Sequence, residues 1–361
     1  MHYWRQVCLT EFPNLKSLFM SSIMSYECKS ILTQMHGIRL QKFSMNADAS
    51  PVDCLNMLEA QTISLRWLRL TLLQNSEATL KKFRLQEIFK KFVQLEELDI
   101  KGVDSIYMED VLQNVSEENP LKSIAFRISS NDNDWLAFVL RKWSKSLEFI
   151  DLWIRGEETV RRLRLASANI RRLEMDAYDV NPHDLVQCIA SEINEALIEL
   201  TLRGVCPMGP LFADLIQRLP NLTKLDLGEC NEKPTDEEMR NIFCYLLNLR
   251  HLTLPACNDE SDIQYLPAEP NISNLKRLRT LQSCLCRFQV LHISNLNFEF
   301  KELKELDILH CGRTQSVSKI ADYKKYFPAL QRLNGIGSDD TIEEIRTSFP
   351  RLFFLNGQWL S

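Results

Sequence analysis

The chain has 361 residues, of which 45% are hydrophobic and 25% charged, and its net charge at pH 7 is −5. This acidic balance argues against a general nucleic-acid-binding protein, because such proteins usually carry a basic domain. No stretch approaches the roughly 20 uninterrupted apolar residues that a membrane-spanning helix requires, and the first eight residues lack the apolar centre of a secretory signal.

The pattern Leu-x-x-Leu-x-Leu recurs along nearly the whole chain. Its first and last copies lie 337 residues apart over 13 intervals, so the mean period is about 26 residues. A period of this size is typical of a solenoid, in which each repeat buries its apolar face against its neighbours. The copies begin at Leu15, Leu40, Leu65, Leu95, Leu121, Leu147, Ile170, Leu197, Leu222, Leu249, Leu275, Leu303, Leu330 and Leu352.

Residues 1–14 precede the first repeat and are predicted to form an N-terminal cap that covers the apolar end of the array. Further along, Leu80–Leu85 matches the pattern midway between two regular copies, and Val160–Leu165 matches it early. Short repeats without helices are predicted at both places. Between them, Trp135–Trp143 has the apolar spacing of a helix.

The middle of the chain contains the clearest repeat. Leu225 and Leu227 alternate with charged residues, which is the period-2 pattern of a strand with one buried face. Thr235 and Glu238 have the spacing of a capping box and predict a helix start. The apolar residues that then share one helical face are Met239, Ile242, Phe243, Leu246 and Leu247.

Two further helices are predicted in this region, at Asp184–Ala196 and Pro210–Leu219. Strands and helices that alternate in this way predict a parallel sheet with helices outside it.

Towards the end of the chain the register is ambiguous around Leu275, and Phe288–Ile293 forms an extra copy of the pattern. Ser338–Glu344 predicts another helix start. The repeats are therefore assigned to residues 15–335, and residues 336–361 to the last repeat and a C-terminal cap. Within that cap, Trp359 and Leu360 are predicted to fold over the end of the core.

Eleven cysteines are spread singly along the chain. Cys230, Cys257 and Cys311 stand eight residues after the first leucine of their repeats, and Cys206 stands nine after. A thiol buried under the turn fits this position. Cysteines one repeat apart do not converge as four ligands, so no metal and no cofactor is predicted. The lack of disulfide-framework spacing favours a reduced compartment, the cytoplasm or the nucleus.

With these cysteines and a period of about 26, residues 12–357 resemble the leucine-rich repeat family, in its cysteine-containing subclass. The resemblance implies an α/β solenoid of about 14 repeats. It would be a right-handed horseshoe with a parallel sheet on the concave face and helices on the convex face. That subclass is typical of F-box/leucine-rich-repeat proteins, which implies the substrate-recognition part of an SCF-type ubiquitin ligase.

F-box proteins carry an N-terminal helical module of roughly 40–50 residues that binds a Skp1-type adaptor. A complete module does not fit before Leu15. His2–Cys8 resembles the last helix of such a module, and the alternative is a capping helix. The alternative function is a free-standing binding module, similar to ribonuclease-inhibitor-like regulators.

Because side chains alternate across a strand, the residues beside the buried leucines are expected to face the concave side, where a protein target would bind. Aromatic residues and arginine carry most of the binding energy at protein interfaces. Phe149 and Trp153 stand out for this reason, with local packing as the alternative. The predicted contact residues are Trp67, Arg127, Phe149, Asp151, Trp153, Arg162, Arg164, Arg172, Asp176 and Arg203.

Five arginines lie between residues 161 and 172. They could receive a phosphate or an acidic motif through bidentate hydrogen bonds. The alternative is that they pair with carboxylates on adjacent strands.

The sequence contains no zinc-protease motif, phosphate-binding glycine loop, nucleophile elbow or paired redox cysteines. Gly335-Ile-Gly337 is too short for a nucleotide fingerprint, and the six histidines are scattered. Catalysis requires several groups that converge in a cleft. We therefore expect a non-catalytic protein that binds neither nucleic acid nor membrane.

Overall fold

The computed structural model describes parts of nearly every repeat. The described residues are 14–20, 38–47, 51–72, 78–101, 112–127, 138, 141–155, 169–190, 196–205, 209–230, 235–255, 274–283, 299–308, 316–317, 324–334, 337–338 and 341–360. The chain forms two compact units, Met1–Ile170 and Arg171–Ser361.

The first unit contains a parallel sheet. Each of its strands pairs with the next strand along the chain, and all run in the same direction. Parallel neighbours need a crossover connection, and two of the connections contain a described helix. The strands are β1 (Ser17–Met20), β2 (Lys42–Ala47), β3 (Trp67–Leu72), β4 (Glu97–Lys101), β5 (Ser123–Arg127) and β6 (Phe149–Arg155), and the helices are α1 (Pro51–Gln61) and α2 (Ala78–Phe89).

The second unit repeats this arrangement and ends in a hairpin. Its main sheet is parallel from β7 to β16, and β17 pairs antiparallel with β16. Strands β13 and β15 form a small separate pair. The strands are β7 (Arg172–Tyr178), β8 (Glu199–Gly204), β9 (Lys224–Asp226), β10 (His251–Thr253), β11 (Thr280–Ser283), β12 (Glu305–Ile308), β13 (Ser316–Val317), β14 (Arg332–Asn334), β15 (Gly337–Ser338), β16 (Phe354–Leu355) and β17 (Gln358–Trp359). The helices are α3 (Pro182–Ala190), α4 (Pro210–Gln217), α5 (Asp236–Tyr245) and α6 (Ile342–Ser348).

The predicted leucine ladder forms the core. All fourteen predicted first residues are described; Leu15 is half-buried and the other thirteen are buried. The residue after the first leucine holds the next repeat in register through its carbonyl oxygen. Lys16 O, for example, accepts the N–H groups of Gln41 at 2.8 Å and Lys42 at 3.0 Å. The fold is therefore an α/β leucine-rich-repeat solenoid, as predicted.

The register at Leu275 differs from the prediction by three residues. Arg279 and Thr280 donate their N–H groups to Arg250 O, at 2.8 and 3.0 Å. Arg250 follows the first leucine of its own repeat, so Leu278 is the first leucine of the next one. Leu275 is also buried, but it lies in the segment before the repeat begins.

The predicted capping box at Thr235 is present, and the second predicted helix start also has one, at Thr341; each has a glutamate three residues later. In the helix after Thr235, four of the five predicted core residues are buried. Leu247 is the exception and is 51% exposed. Helix α5 ends at Tyr245, so the helical spacing no longer directs Leu247 towards the core.

The predicted short repeat at Leu80–Leu85 is wrong, because this segment lies inside helix α2. Leu85, Ile88 and Phe89 are buried at helical spacing, and these contacts favour the helix. Val160–Leu165 and Phe288–Ile293 lie outside the described residues.

Other predictions are met in part. Helices α3 and α4 begin near the predicted starts; residues 191–195 of the longer prediction lie outside the described part. Of Trp135–Trp143, residues 138, 141 and 142 are helical. Residues 1–13, which contain most of the predicted N-terminal cap and Trp4, lie outside the described residues. Cys230 is buried under its turn and donates its thiol to Leu202 O at 3.3 Å, whereas Cys206, Cys257 and Cys311 are not described.

Among the described residues, no helix has both the length and the apolar composition to cross a bilayer.

Candidate functional site

Each unit has a sheet face that lies opposite the buried strand side chains, which we call the open face. Its residues alternate with the core leucines because successive side chains point to opposite sides of a strand. In the first unit, the strand register places two rows on this face. The first row is Ser17, Lys42, Trp67, Glu97, Ser123 and Phe149, and the second is Phe19, Ser44, Arg69, Asp99, Ala125 and Asp151.

An aromatic–arginine cluster, formed by Phe19, Trp67, Arg69 and Asp99, occupies this face at β1–β4. The rings of Phe19 and Trp67 lie 5.6 Å apart and tilted by 55°. The Arg69 guanidinium lies 5.3 Å from the centre of the Trp67 ring, and its Nε donates to Asp99 Oδ2 at 2.5 Å. The carboxylate thus fixes the guanidinium beside the indole. Phe19 remains 64% exposed, so the cluster presents an apolar surface to solvent.

Four predicted contact residues lie at β5 and β6. Phe149 and Trp153 are half-buried, and Asp151 is buried, with 9% of its surface exposed. Arg127 pairs in register with Trp153 on the neighbouring strand. This degree of burial leaves Asp151 little surface for contact with a partner. Arg162 and Arg164 lie outside the described residues.

In the second unit, the predicted contact residues Arg172 and Arg203 form ion pairs with nearby carboxylates. Arg172 Nε lies 2.9 Å from Glu199 Oε2, and a terminal nitrogen lies 3.7 Å from Glu174. Arg203 lies 3.8 Å from Glu174 and 3.5 Å from Glu229. Of the five clustered arginines, Arg172 matches the alternative of pairing with local carboxylates, whereas Arg161, Arg162 and Arg164 lie outside the described residues. The ion pairs hold the open face of this unit in a defined arrangement.

Asp176 is half-buried and adds to the effect of burial in raising the pKa of Tyr178, which lies two residues later on the same strand. Burial raises the pKa of Tyr178, and the charge of Asp176 and its hydrogen bond to the phenol raise it further. The Asp176 carboxylate therefore interacts with this phenol on its own strand.

His251 lies on the open face of β10, where its Nδ1 is 3.1 Å from Thr280 Oγ1. Burial lowers the pKa of His251, and the positive charge of Lys224 on the adjacent strand lowers it further. The ring thus contacts a threonine hydroxyl on the neighbouring strand β11. Within the described ranges, no group of three His, Cys, Asp or Glu residues is placed to hold a metal ion.

Two buried amides that sequence reasoning missed connect adjacent repeats. Gln61 accepts from Leu40 N at 2.9 Å and donates to Ile38 O at 3.1 Å. Asn119 accepts from Leu95 N and donates to Phe92 O, both at 2.9 Å. These amides satisfy backbone groups that the strand ladder leaves without a partner. They stand at different distances from the next repeat's first leucine, so the sequence offers no fixed position that would reveal them.

The C-terminal hairpin differs from its prediction. Trp359 does not fold over the core but is 73% exposed. Its ring stacks on Phe353 at 5.5 Å and meets Phe354 edge-on at 5.3 Å. The tight turn at Asn356 and Gly357, both with positive φ, reverses the chain and places the indole outside.

No protein-family model matches this chain, and no curated protein matches it. Among solved structures, a chain from "Crystal structure of Rad7 and Elc1 complex in yeast" is 14% identical, with a TM-score of 0.50 over 92% of this chain and 83% of that chain. The leucine-rich repeat-containing protein LegL7 from Legionella pneumophila is also 14% identical, with a TM-score of 0.44 over 74% of this chain and 88% of that chain. At this identity, the similarity to the yeast chain concerns the fold alone.

Proposed function

We propose that this protein is a non-catalytic interaction solenoid that binds a target protein on its open face. The observation that carries the proposal is the aromatic–arginine cluster, where Phe19 is 64% exposed beside Trp67 and an arginine held by Asp99. Aromatic residues and arginine are the side chains that most often anchor protein interfaces.

The energetics of the cluster favour binding. Burial of an exposed phenylalanine side chain contributes about 1.5–3 kcal/mol, and Phe19 retains most of its surface for such burial. Arg69 is already oriented by Asp99, so less side-chain entropy is lost when a partner contacts it. The ion-paired arginines of the second unit are fixed in the same way. The predicted contact residues of both units are included in this proposal.

We further propose that the target is held for ubiquitin transfer, with this chain as the substrate-recognition part of an SCF-type ubiquitin ligase in the cytoplasm or nucleus. The cysteine-containing repeat pattern supports this, and so does the buried position of Cys230 under its turn. The similar yeast chain comes from a complex of Rad7 with Elc1, which agrees with a solenoid that works in an assembly. A free-standing binding module, without a ligase role, is the second candidate.

A pull-down with a purified Skp1-type adaptor separates these two candidates. The full-length product should retain the adaptor if it carries a complete F-box. A product that begins at Leu15, and so lacks everything before the first repeat, serves as the matched control and should lose adaptor retention. No retention by the full-length product would leave the free-standing module as the function.

The open face is tested with paired variants in quantitative affinity purification. Trp67→Ala with Arg69→Ala removes the anchors and should weaken target binding about thirtyfold, the effect of losing roughly 2 kcal/mol. The control, Lys90→Ala with Lys91→Ala, removes two exposed cations at the end of helix α2 and should bind normally. If the control loses binding and the open-face variant does not, the target binds elsewhere.

A second variant, Trp153→Ala with Arg172→Ala, tests one further predicted contact in each unit. It should weaken the same target without loss of folding, as judged by circular dichroism. Unchanged binding would restrict the interface to β1–β4.

A further inference from the structure

Three basic residues stand in a row where strands β10, β11 and β12 begin. Arg279 N donates to Arg250 O, and Lys304 N donates to Arg279 O, each at 2.8 Å, so Arg250, Arg279 and Lys304 occupy equivalent positions. Neighbouring strands lie about 4.8 Å apart, so the row spans about 10 Å.

The turns that lead into β11 and β12 add three more cations. Lys276 and Arg277 precede β11, and Lys301 precedes β12. Together with the row they form what we call the basic edge: Arg250, Lys276, Arg277, Arg279, Lys301 and Lys304. The described residues of the same turns include two carboxylates, Glu299 and Glu302, so six positive and two negative charges give a local charge of +4. This contrasts with a net charge of −5 for the whole chain.

Five residues of the basic edge are exposed, Arg279 is half-buried, and the positive charge is only partly neutralised. Arg279 Nε lies 3.5 Å from Glu302 Oε2, and Arg277 donates to Asn248 Oδ1 at 2.7 Å. Arg250, Lys276, Lys301 and Lys304 are exposed and form no ion pair within the described part of their unit. Like charges held this close repel one another. A bound anion would relieve that repulsion.

An exposed aromatic stack continues the same row. Gln331 N donates to Lys304 O, and Phe353 N donates to Gln331 O, so Phe353 stands two strands beyond Lys304. Phe353 is 38% exposed and Trp359, stacked on it, is 73% exposed. The surface thus changes from cationic to apolar over about 10 Å.

We propose that the basic edge binds an acidic segment of a protein partner, followed by an apolar residue that docks on Phe353 and Trp359. This deepens the proposed function, on which it rests, by naming the partner's chemistry. Alternate residues of an extended segment lie about 6.8 Å apart on one side. Two such carboxylates, about 6.8 Å apart, therefore fit within the row of about 10 Å, with the arginines as bidentate donors.

The surroundings favour a protein segment over a nucleic acid. Beside the basic edge, the two open-face rows of the second unit hold three cations and five carboxylates, a net charge of −2. The cations are Arg172, Lys224 and Arg332, and the carboxylates are Glu174, Glu199, Asp226, Glu305 and Asp307. A phosphate backbone long enough to gain affinity by counterion release would extend into this repulsive region. A short acidic segment would not.

Fluorescence anisotropy with a synthetic probe tests the inference on the full chain. The probe is a labelled peptide of six glutamates, two glycines and a phenylalanine. Arg250→Gln, Arg279→Gln and Lys304→Gln combined should weaken its binding about tenfold, since surface ion pairs contribute about 0.2–1 kcal/mol each. A matched triple variant, Arg218→Gln, Arg240→Gln and Arg346→Gln, removes the same charge from exposed positions at helices α4, α5 and α6 and should change binding less than twofold.

Further arms separate the alternatives. The affinity for the peptide should fall as the salt concentration is raised from about 0.05 to about 0.3 M, because salt screens exposed charges. A peptide without the phenylalanine should bind more weakly than the full probe. The Trp67→Ala, Arg69→Ala variant should bind the probe normally, so a failure here is distinct from a failure of the open-face proposal. Equal losses in both triple variants, no binding by the wild type, or tighter binding of a 12-residue oligothymidylate would each overturn the inference.

Discussion

Replacement of Asn119 by alanine should destabilise the first unit far more than the loss of so small a side chain suggests. The amide is 1% exposed and bonds to Leu95 N and Phe92 O, both at 2.9 Å. Each buried backbone group left without a partner costs about 1–3 kcal/mol. Two such groups give about 2–6 kcal/mol, and entry of water into the vacated space would bring the loss towards the lower half of that range.

Urea denaturation, followed by circular dichroism and by tryptophan fluorescence, measures the loss. Two probes are needed because repeat proteins can unfold in stages. Hydrogen exchange gives a local readout, since the Leu95 N–H should lose protection in Asn119→Ala. Gln41→Ala is the control, because Gln41 is exposed in the same unit and its loss should cost less than about 0.5 kcal/mol. A loss no larger than that of the control would refute the reasoning.

Three other perturbations follow from the second unit. Gly204→Ala should lower the free energy of unfolding in urea by about 2–3 kcal/mol. Gly204 has a φ of 74°, and a Cβ there would lie 2.2 Å from Ala177 O. An unchanged free energy of unfolding would contradict this close approach. Glu238→Ala should lower the thermal midpoint, because this carboxylate is 1% exposed and accepts two backbone N–H groups, a loss of about 2 kcal/mol or more; an unchanged midpoint would argue against it. His251 should titrate below its usual pKa by NMR, because burial lowers it. Because the folded protein binds this proton less readily than the unfolded chain, the free energy of unfolding should fall as the pH drops below the unfolded pKa of about 6.5. The His251→Gln variant should lack this part of the pH dependence. An NMR titration of His251 at or above the usual pKa would count against this.

The sequence predicted the repeat fold well because the leucine ladder is a strong periodic signal. Its errors arose where two periodicities overlap. Leu275 and Leu278 both match the start of a repeat, and only the backbone bonds to Arg250 O distinguish them. Likewise, Leu80–Leu85 fits the repeat pattern, but the burial of Leu85 and Ile88 belongs to a helix.

The candidate site was less predictable, because position on a face does not determine exposure. Alternation correctly places Trp67 and Asp99 on the same face, yet Asp99 is 7% exposed because Arg69 covers it. Asp151 is buried at an equivalent position. Phe19 was not among the predicted contacts, although its strand alternates like the others. The basic edge was missed because the three turns that form it lie one repeat apart in sequence and meet only in register.

Photo-cross-linking from the first unit tests the central claim most directly. A photoreactive phenylalanine analogue at Phe19 places the reactive group on the open face, whereas the same analogue at Val93, which is 57% exposed in the turn before β4, serves as the comparison. In cells, we expect one discrete protein adduct from position 19 and none of that mass from position 93. Adducts from position 93 alone would show that the target does not bind the open face.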